Sequence, residues 1–162
     1  MIKVLRVDDR LLHGQVAAAW VNYYKADVIL IANNEVVRDA MMQTVFRLAT
    51  PTGVTLSMMS LDGAVAVINN PKHSSRTIMV VTKTIQDAEY LCERTFGEIK
   101  DILLGGLRSG EGKKQIDMNS YMDENDILSM DRLEKVGCQI VMQADPTSKK
   151  LYCDEIRKKF NK

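Results

Sequence analysis

Residues 6 to 15 read RVDDRLLHGQ and concentrate groups suited to phosphoryl chemistry: Arg6, Asp8, Asp9, Arg10 and His13, followed by Gly14 and Gln15 at the start of an apolar segment. An imidazole with an unperturbed pKa of about 6.5 is a good nucleophile at pH 7, and a neighbouring carboxylate decides which ring nitrogen carries the proton. Asp9 is the first candidate to orient the His13 ring and Asp8 the second. Arg10 supplies a planar cationic fork that matches phosphate oxygens. The Gly14 and Gln15 amides, at the start of the following helix, would stabilise a dianion. Each of these charges could equally belong to a solvated loop network, but a His directly before a helix start and three residues after an Arg favours phosphoryl transfer.

Such a loop needs a scaffold, and the rest of the chain supplies alternating elements. Ile2 to Val7 reads as a strand, GQVAAAWVNYYK as a helix, and Asp27 to Ala32 as a β-branched run of the kind buried on both faces of a parallel sheet. After the Asn33-Asn34 turn, EVVRDAMMQTVFRL places Val37, Ala40, Met41, Val45 and Leu48 on one side of a helix that Pro51 and Gly53 end. Further strands are expected at Val54–Met59, Thr77–Val81, Ile102–Leu104, Ile116–Tyr121 and Cys138–Met142. Helices are expected at Leu61–Ile68, Thr84–Phe96 and Asn125–Val136, with LYCDEIRKKFNK a short amphipathic helix at the end. About seven strands alternating with about six helices predict an α/β fold, an open, mostly parallel sheet with helices on both faces. In such sheets ligands gather beyond the carboxyl ends of strands, so the loops 8–13, 33–34 and 105–114 carry the candidate site. Arg6, Asp8, Asn33, Gly105 and Gly106 are its supporting positions, and Arg108, Lys113 and Lys114 form a basic rim.

Composition narrows the alternatives. The chain has 162 residues, 46% of them hydrophobic, with three prolines and no linker or repeat, which predicts a single domain over 1–162. With 22 basic against 21 acidic residues, the net charge of +1 provides no field for nucleic acid. No apolar stretch approaches the roughly 18 to 20 residues that span a bilayer, and MIKVLRVDDR reaches an Asp pair before a signal-peptide core could form, so a soluble cytoplasmic protein is expected. The three cysteines, Cys92, Cys138 and Cys153, lack metal-ligand spacing and read as idle reduced thiols. Both nucleotide motifs fail: a phosphate loop would need Gly at Leu107 and Ser or Thr at Lys114, and Leu11 and Leu12 occupy the turn where a dinucleotide fingerprint needs glycine. His73, in PKHSSR, reads as a loop histidine. The alternative is a receiver-like regulatory domain phosphorylated on Asp, suggested by Asp8-Asp9 and Thr82-Lys83. It lacks an acceptor Asp at the end of the third strand, where only Asp62 is available beyond it, and a Lys after the fifth.

RVDDRLLHGQV closely resembles the signature R-x-D-x-R-L-I-H-G-Q-V of the IIB components of the mannose/fructose/sorbose family of the bacterial sugar phosphotransferase system. The resemblance runs along the whole chain: Asn33-Asn34-Glu35 is similar to the family's N-D-E turn, Ala49 to Gly53 to its A-x-P-x-G segment, Gly105-Gly106 to its N-x-G-G loop, and GKKQI and DENDI to later segments. Leu12 replaces the usual Ile, Asn34 an Asp, Thr50 a common Ala, and Leu103 an Asn found in many members. The resemblance implies that His13 accepts a phosphoryl group, on Nδ1, from a histidine of a IIA component and passes it to a sugar carried by the membrane components IIC and IID. It implies a protein held peripherally at the inner face of the membrane through that transporter. The scheme calls for no metal or other cofactor, because the phosphohistidine bond is already reactive and Arg10 can neutralise charge.

Overall fold

The apolar runs do form strands, but their order across the sheet is not their order along the chain. The computed structural model describes residues 1–162. Its strands are β1 (Ile2–Val7), β2 (Val28–Ala32), β3 (Thr55–Met59), β4 (Ile78–Thr82), β5 (Asp101–Leu104), β6 (Lys114–Asp117), β7 (Ser120–Met122), β8 (Gln139–Met142) and β9 (Leu151–Tyr152). The helices are α1 (Gly14–Tyr24), α2 (Ala40–Ala49), α3 (Leu61–Asn69), α4 (Ile85–Arg94), α5 (Glu124–Lys135) and α6 (Cys153–Phe160). Seven strands form one sheet in the order β3-β2-β4-β1-β5-β8-β9, parallel throughout except for β9, which runs antiparallel to β8.

Alternation along the strands divides the core in two, as the period of two requires. Leu5, Val7, Leu30, Val80, Ile102, Leu104 and Ile140 face one layer, where α3, α4, α5 and α6 contribute Ala64, Ile85, Leu91, Met130, Leu133 and Ile156. Val4, Ile29, Ile31, Met79, Val81 and Leu103 face the other, covered by Ala17, Trp20 and Val21 of α1 and Phe46 of α2. Helices therefore lie on both faces, as expected. At the sheet's centre, β1 is flanked by β4 and β5. Its chain leaves toward α1 on one face, whereas the chain from β4 enters α4 on the other, which makes a switch point beside the end of β1.

Three local expectations need correction. Ile116–Tyr121 is not a strand of the main sheet: Asp117 to Ser120 turn the chain, and β6 and β7 pair as a separate antiparallel hairpin. The Asp117 carboxylate accepts from the Asn119 amide at 3.0 Å, a local bond that stabilises a turn where the apolar content suggested continuity. The seventh strand of the main sheet is instead β9, formed by the first residues of the expected C-terminal helix. The helix expected across residues 35–48 is broken. Val36–Arg38 is a single 3-10 turn, and Asp39, in extended conformation, caps α2 by accepting from the amides of Met41 and Met42. The three cysteines are unpaired; Cys138 and Cys153 are buried, and burial pushes the Cys153 thiol up to about 12. No helix is long and apolar enough to cross a membrane.

Candidate functional site

The loop leaving β1 turns immediately. Leu11 N–H donates to the Asp8 carbonyl at 2.9 Å, closing a turn over Asp9 and Arg10. Leu11 adopts φ +59, a left-handed conformation that costs a non-glycine residue about 1–2 kcal/mol. Its side chain, together with Leu12, is buried in the α1/α2 core, and that burial holds the strained turn in place. His13 follows as the N-cap of α1, with extended backbone, and its side chain makes no capping bond. Gly14 then opens the helix at φ +43, a conformation that suits glycine. The first amides of α1 thus point toward the end of the sheet with no helical carbonyl to accept them.

Asp8 is the centre of the cluster and is fully buried. Its Oδ2 accepts from His13 Nε2 at 3.0 Å and from Arg6 Nη2 at 3.1 Å, while Oδ1 accepts from the Arg10 amide at 3.0 Å. A carboxylate only accepts, so the proton of the neutral ring sits on Nε2 and the lone pair on Nδ1. The ring is 22% exposed. The hollow that it lines with Leu11, Leu12 and Val16 is only about 10 Å³.

Arg6 is the buried partner of the Asp8 carboxylate. Its guanidinium donates to Asp8 and to the carbonyls of Gln143 and Ala144, and lies 5.5 Å from the centre of the Trp20 ring. Trp20 Nε1 donates to the same Ala144 carbonyl at 3.2 Å. Burial draws the Arg6 pKa below its ordinary value, and the Asp8 carboxylate opposes that pull. Gly105 is what makes the space: a Cβ there would stand 2.4 Å from Arg6 Nη2 and 2.6 Å from Cζ. The Gly105 carbonyl accepts from Ser120 Oγ of β7 at 2.5 Å, and the Gly106 carbonyl accepts from the Asp9 amide at 2.9 Å. The glycine pair therefore supports the first loop directly.

The roles of the two aspartates are the reverse of the expected order. Asp9 turns away from His13, and its Oδ2 accepts from the Arg108 amide at 2.9 Å and from Arg108 Nε at 2.6 Å. It fastens the loop after β5 to the loop after β1, while Asp8 orients the ring. Side-chain alternation is the reason: Asp8 continues β1 and points into the interior, and the next residue in the turn points out.

Asn33 also departs from the expectation. Its carboxamide oxygen accepts from the amides of Glu35 and Val36, shaping the loop after β2, and β4 lies between β2 and β1. In the rim, Arg108 stays near the site through Asp9. Lys113 is engaged by Asp126 at 2.9 Å and Lys114 by the Phe160 carbonyl at 3.0 Å. Arg10 is 56% exposed, its Nε 3.7 Å from Asp8, with its guanidinium free to reach outward. His73 lies in a 3-10 turn lining a cavity with Met1 and Ile2, at the opposite end of β1 from His13. Asp62, the acceptor considered for a receiver domain, sits in the first turn of α3, where Tyr90 donates to it. Sequence reasoning did not identify Gln143, Ala144, Trp20 or Ser120. Gln143 and Ala144 follow the last parallel strand, which places them at the correct end of the sheet, but nothing local indicates that their carbonyls receive Arg6.

Known proteins resemble this chain along its whole length. A family model for the PTS system sorbose subfamily IIB component matches residues 2–162. The sorbose-specific EIIB component of Klebsiella pneumoniae is 32% identical over 149 residues, 90% of each chain. The mannose-specific EIIAB component of Escherichia coli K12 is 30% identical over 162 residues, all of this chain and 50% of that protein. Among solved structures, the IIBSor domain of the Klebsiella pneumoniae sorbose permease superposes with a TM-score of 0.91 at 30% identity, covering 98% of this chain and 97% of that one. The N-acetylgalactosamine-specific IIB component 1 of Escherichia coli gives 0.85 at 26% identity, covering 93% and 97%.

Proposed function

Since the chain belongs to the sorbose subfamily of phosphotransferase-system IIB components, and such components are phosphotransferases that act in sugar transport, we propose that residues 1–162 form one IIB domain that carries a phosphoryl group on His13. The observation that supports this most is the Asp8–His13 bond, which places the proton on Nε2 and leaves Nδ1 as the nucleophile. The Nδ1 lone pair attacks phosphorus on a phosphohistidine of the IIA component. A P–N bond forms on His13, the P–N bond to the donor breaks, and the donor ring keeps the electron pair.

In the second transfer, an oxygen of the sugar held by IIC and IID attacks phosphorus. The P–N bond to His13 breaks, its electron pair returns to Nδ1, and the attacking sugar hydroxyl gives up its proton to water. Transfer of this kind has a loose transition state with charge on the equatorial oxygens, so the protein acts by alignment and charge stabilisation. Arg10 and the amides of Gly14 and Gln15 perform that task. Asp8 steadies the ring in both steps, and Arg6, held by Gly105, Gln143 and Ala144, steadies Asp8. Because the hollow beside His13 is only about 10 Å³, too small for a sugar, the sugar is selected by the membrane components and not by this loop. The protein works at the cytoplasmic face, bound peripherally through the transporter.

The test is incubation with the general phosphotransferase proteins, the cognate IIA component and labelled phosphoenolpyruvate, followed by site mapping at alkaline pH, where phosphohistidine survives and an acyl phosphate does not. Label on His13 alone is expected. Label that persists in His13→Ala, or maps to His73 or to an aspartate, overturns the assignment.

A further inference from the structure

Helix α2 presents its apolar stripe to water. Met41, Val45 and Leu48 align along one side and are 78%, 54% and 83% exposed, with Val37 of the preceding 3-10 turn 38% exposed, while Phe46 and the half-buried Met42 and Ala49 face the core. Singly exposed apolar residues are ordinary on protein surfaces, but a contiguous stripe marks a contact surface. α2 lies on the same face of the sheet as α1, sharing one core with Leu11 and Leu12 of the His13 loop, and it follows the carboxyl end of β2, the end of the sheet at which His13 sits.

The charges beside the stripe lean positive. Exposed Arg38 donates to the Asn34 carbonyl at 3.2 Å and exposed Arg47 to the Gln43 side chain at 3.4 Å, and neither meets a carboxylate. Of the acidic groups in the same segment, Glu35 pairs with Lys83 at 3.9 Å, while Asp39, bonded to the neutral amides of α2, keeps its charge. The surface thus combines apolar side chains with two arginines that no carboxylate meets and a small positive excess, and its complement is an apolar partner that carries negative charge.

Building on the carrier reading of His13, we propose that the outer face of α2 docks the protein that donates the phosphoryl group, and that this donor covers Met41, Val45 and Leu48 with an apolar patch flanked by carboxylates. Charge selects the donor over the acceptor. The donor arrives carrying a phosphoryl dianion, whereas the acceptor presents neutral sugar hydroxyls to a His13 that is already phosphorylated. Transfer then moves the negative charge from the donor to this protein and weakens the attraction, which favours release of the spent donor.

The test uses the double variant Met41→Glu/Leu48→Gln, both positions exposed and outside the loop that handles the phosphoryl group. Single-turnover loading is measured against the concentration of phosphorylated IIA component. The half-saturating concentration should rise about tenfold or more, equivalent to about 1.4 kcal/mol, with the limiting rate changed by less than about twofold. Arg38→Gln/Arg47→Gln should flatten the dependence of loading on ionic strength. Phosphoramidate, a small phosphoryl donor that needs no docking, should label wild type and variants equally.

Unchanged concentration dependence in Met41→Glu/Leu48→Gln, with wild type loading normally, overturns the docking surface and leaves the carrier reading intact. Absence of label on wild-type His13 from both IIA and phosphoramidate overturns the carrier reading itself. If loading is unchanged, three further results would reassign the stripe: slowed passage to sugar in membranes containing IIC and IID, loss of binding to phosphatidylglycerol vesicles, or loss of a wild-type dimer in sedimentation velocity. Each of these also overturns the donor assignment.

Discussion

Replacing Asp8 by Asn changes one atom at a buried position where every neighbour donates. Oδ2 receives His13 Nε2 and Arg6 Nη2, and Oδ1 receives the Arg10 amide. An amide nitrogen placed at Oδ2 would face two donors, and one placed at Oδ1 would face the Arg10 amide. The ring can relieve the first conflict only by moving its proton to Nδ1, so that Nε2 accepts from the amide. That tautomer removes the lone pair from the nitrogen that must attack. Loss of the buried charge also leaves Arg6 without its counterion, and breaking a buried pair by removing one partner costs about 3–5 kcal/mol of stability. For the chemistry, we expect phosphoryl loading per folded molecule to fall by about a hundred- to a thousandfold, or about 2.7–4 kcal/mol in the barrier.

The assay is rapid-quench transfer of labelled phosphate from IIA at saturating donor, with urea denaturation of the same samples to correct for the folded fraction. Asp9→Asn is the internal contrast. It weakens the Arg108 clip but leaves the ring bond intact, so loading should change by less than about fivefold, or about 1 kcal/mol. Asp8→Asn that loads at the wild-type rate, or Asp9→Asn that is the more damaging of the two, would refute the assignment of the ring-orienting carboxylate to Asp8.

Arg10→Lys keeps the charge but loses the planar fork, and transfer should slow about tenfold, about 1.4 kcal/mol, with unchanged circular dichroism; unaltered rates in both directions would remove Arg10 from the site. Gly105→Ala should lower stability by about 1–3 kcal/mol in urea titration, because its Cβ would displace the Arg6 guanidinium. Gly106→Ala, whose Cβ would find its nearest atom at 3.4 Å, should stay within about 0.5 kcal/mol of wild type, and equal effects at the two positions would contradict the packing. Burial alone would raise Asp126, but Lys113, the Asp123 amide and Gln86 together hold it below its ordinary value. A carboxylate lowered by folding adds stability above its unfolded pKa and loses it as pH falls through the folded one. Acid denaturation below about pH 4 should therefore be shallower in Asp126→Asn, and an identical pH slope would refute the pairing.

Much of this molecule is legible locally. The β-branched runs at 28–32 and 78–82 specify strands buried on both faces because no polar face interrupts them. The placement of His13 before Gly14 marks a helix start because only the residues after it sustain helical spacing, and glycine permits the φ of +43 found there. Those features lie within a few residues of one another, and so does the site's core from Arg6 to Gln15. Tertiary structure decided the rest, because it depends on which strands become neighbours. With β4 between β2 and β1, the Asn33 loop is kept one strand away from the Asp8 loop, while pairing of β1 with β5 brings Gly105 against Arg6. The choice between Asp8 and Asp9 turned on which side chain continues the strand inward, and on an Arg108 that lies 99 residues further along the chain. The stripe of α2 shows the same limit: periodicity identified one apolar side, Val37, Met41, Val45 and Leu48, but not whether the protein's own sheet would cover it. Phe46 took that place, with the half-buried Met42 and Ala49 beside it.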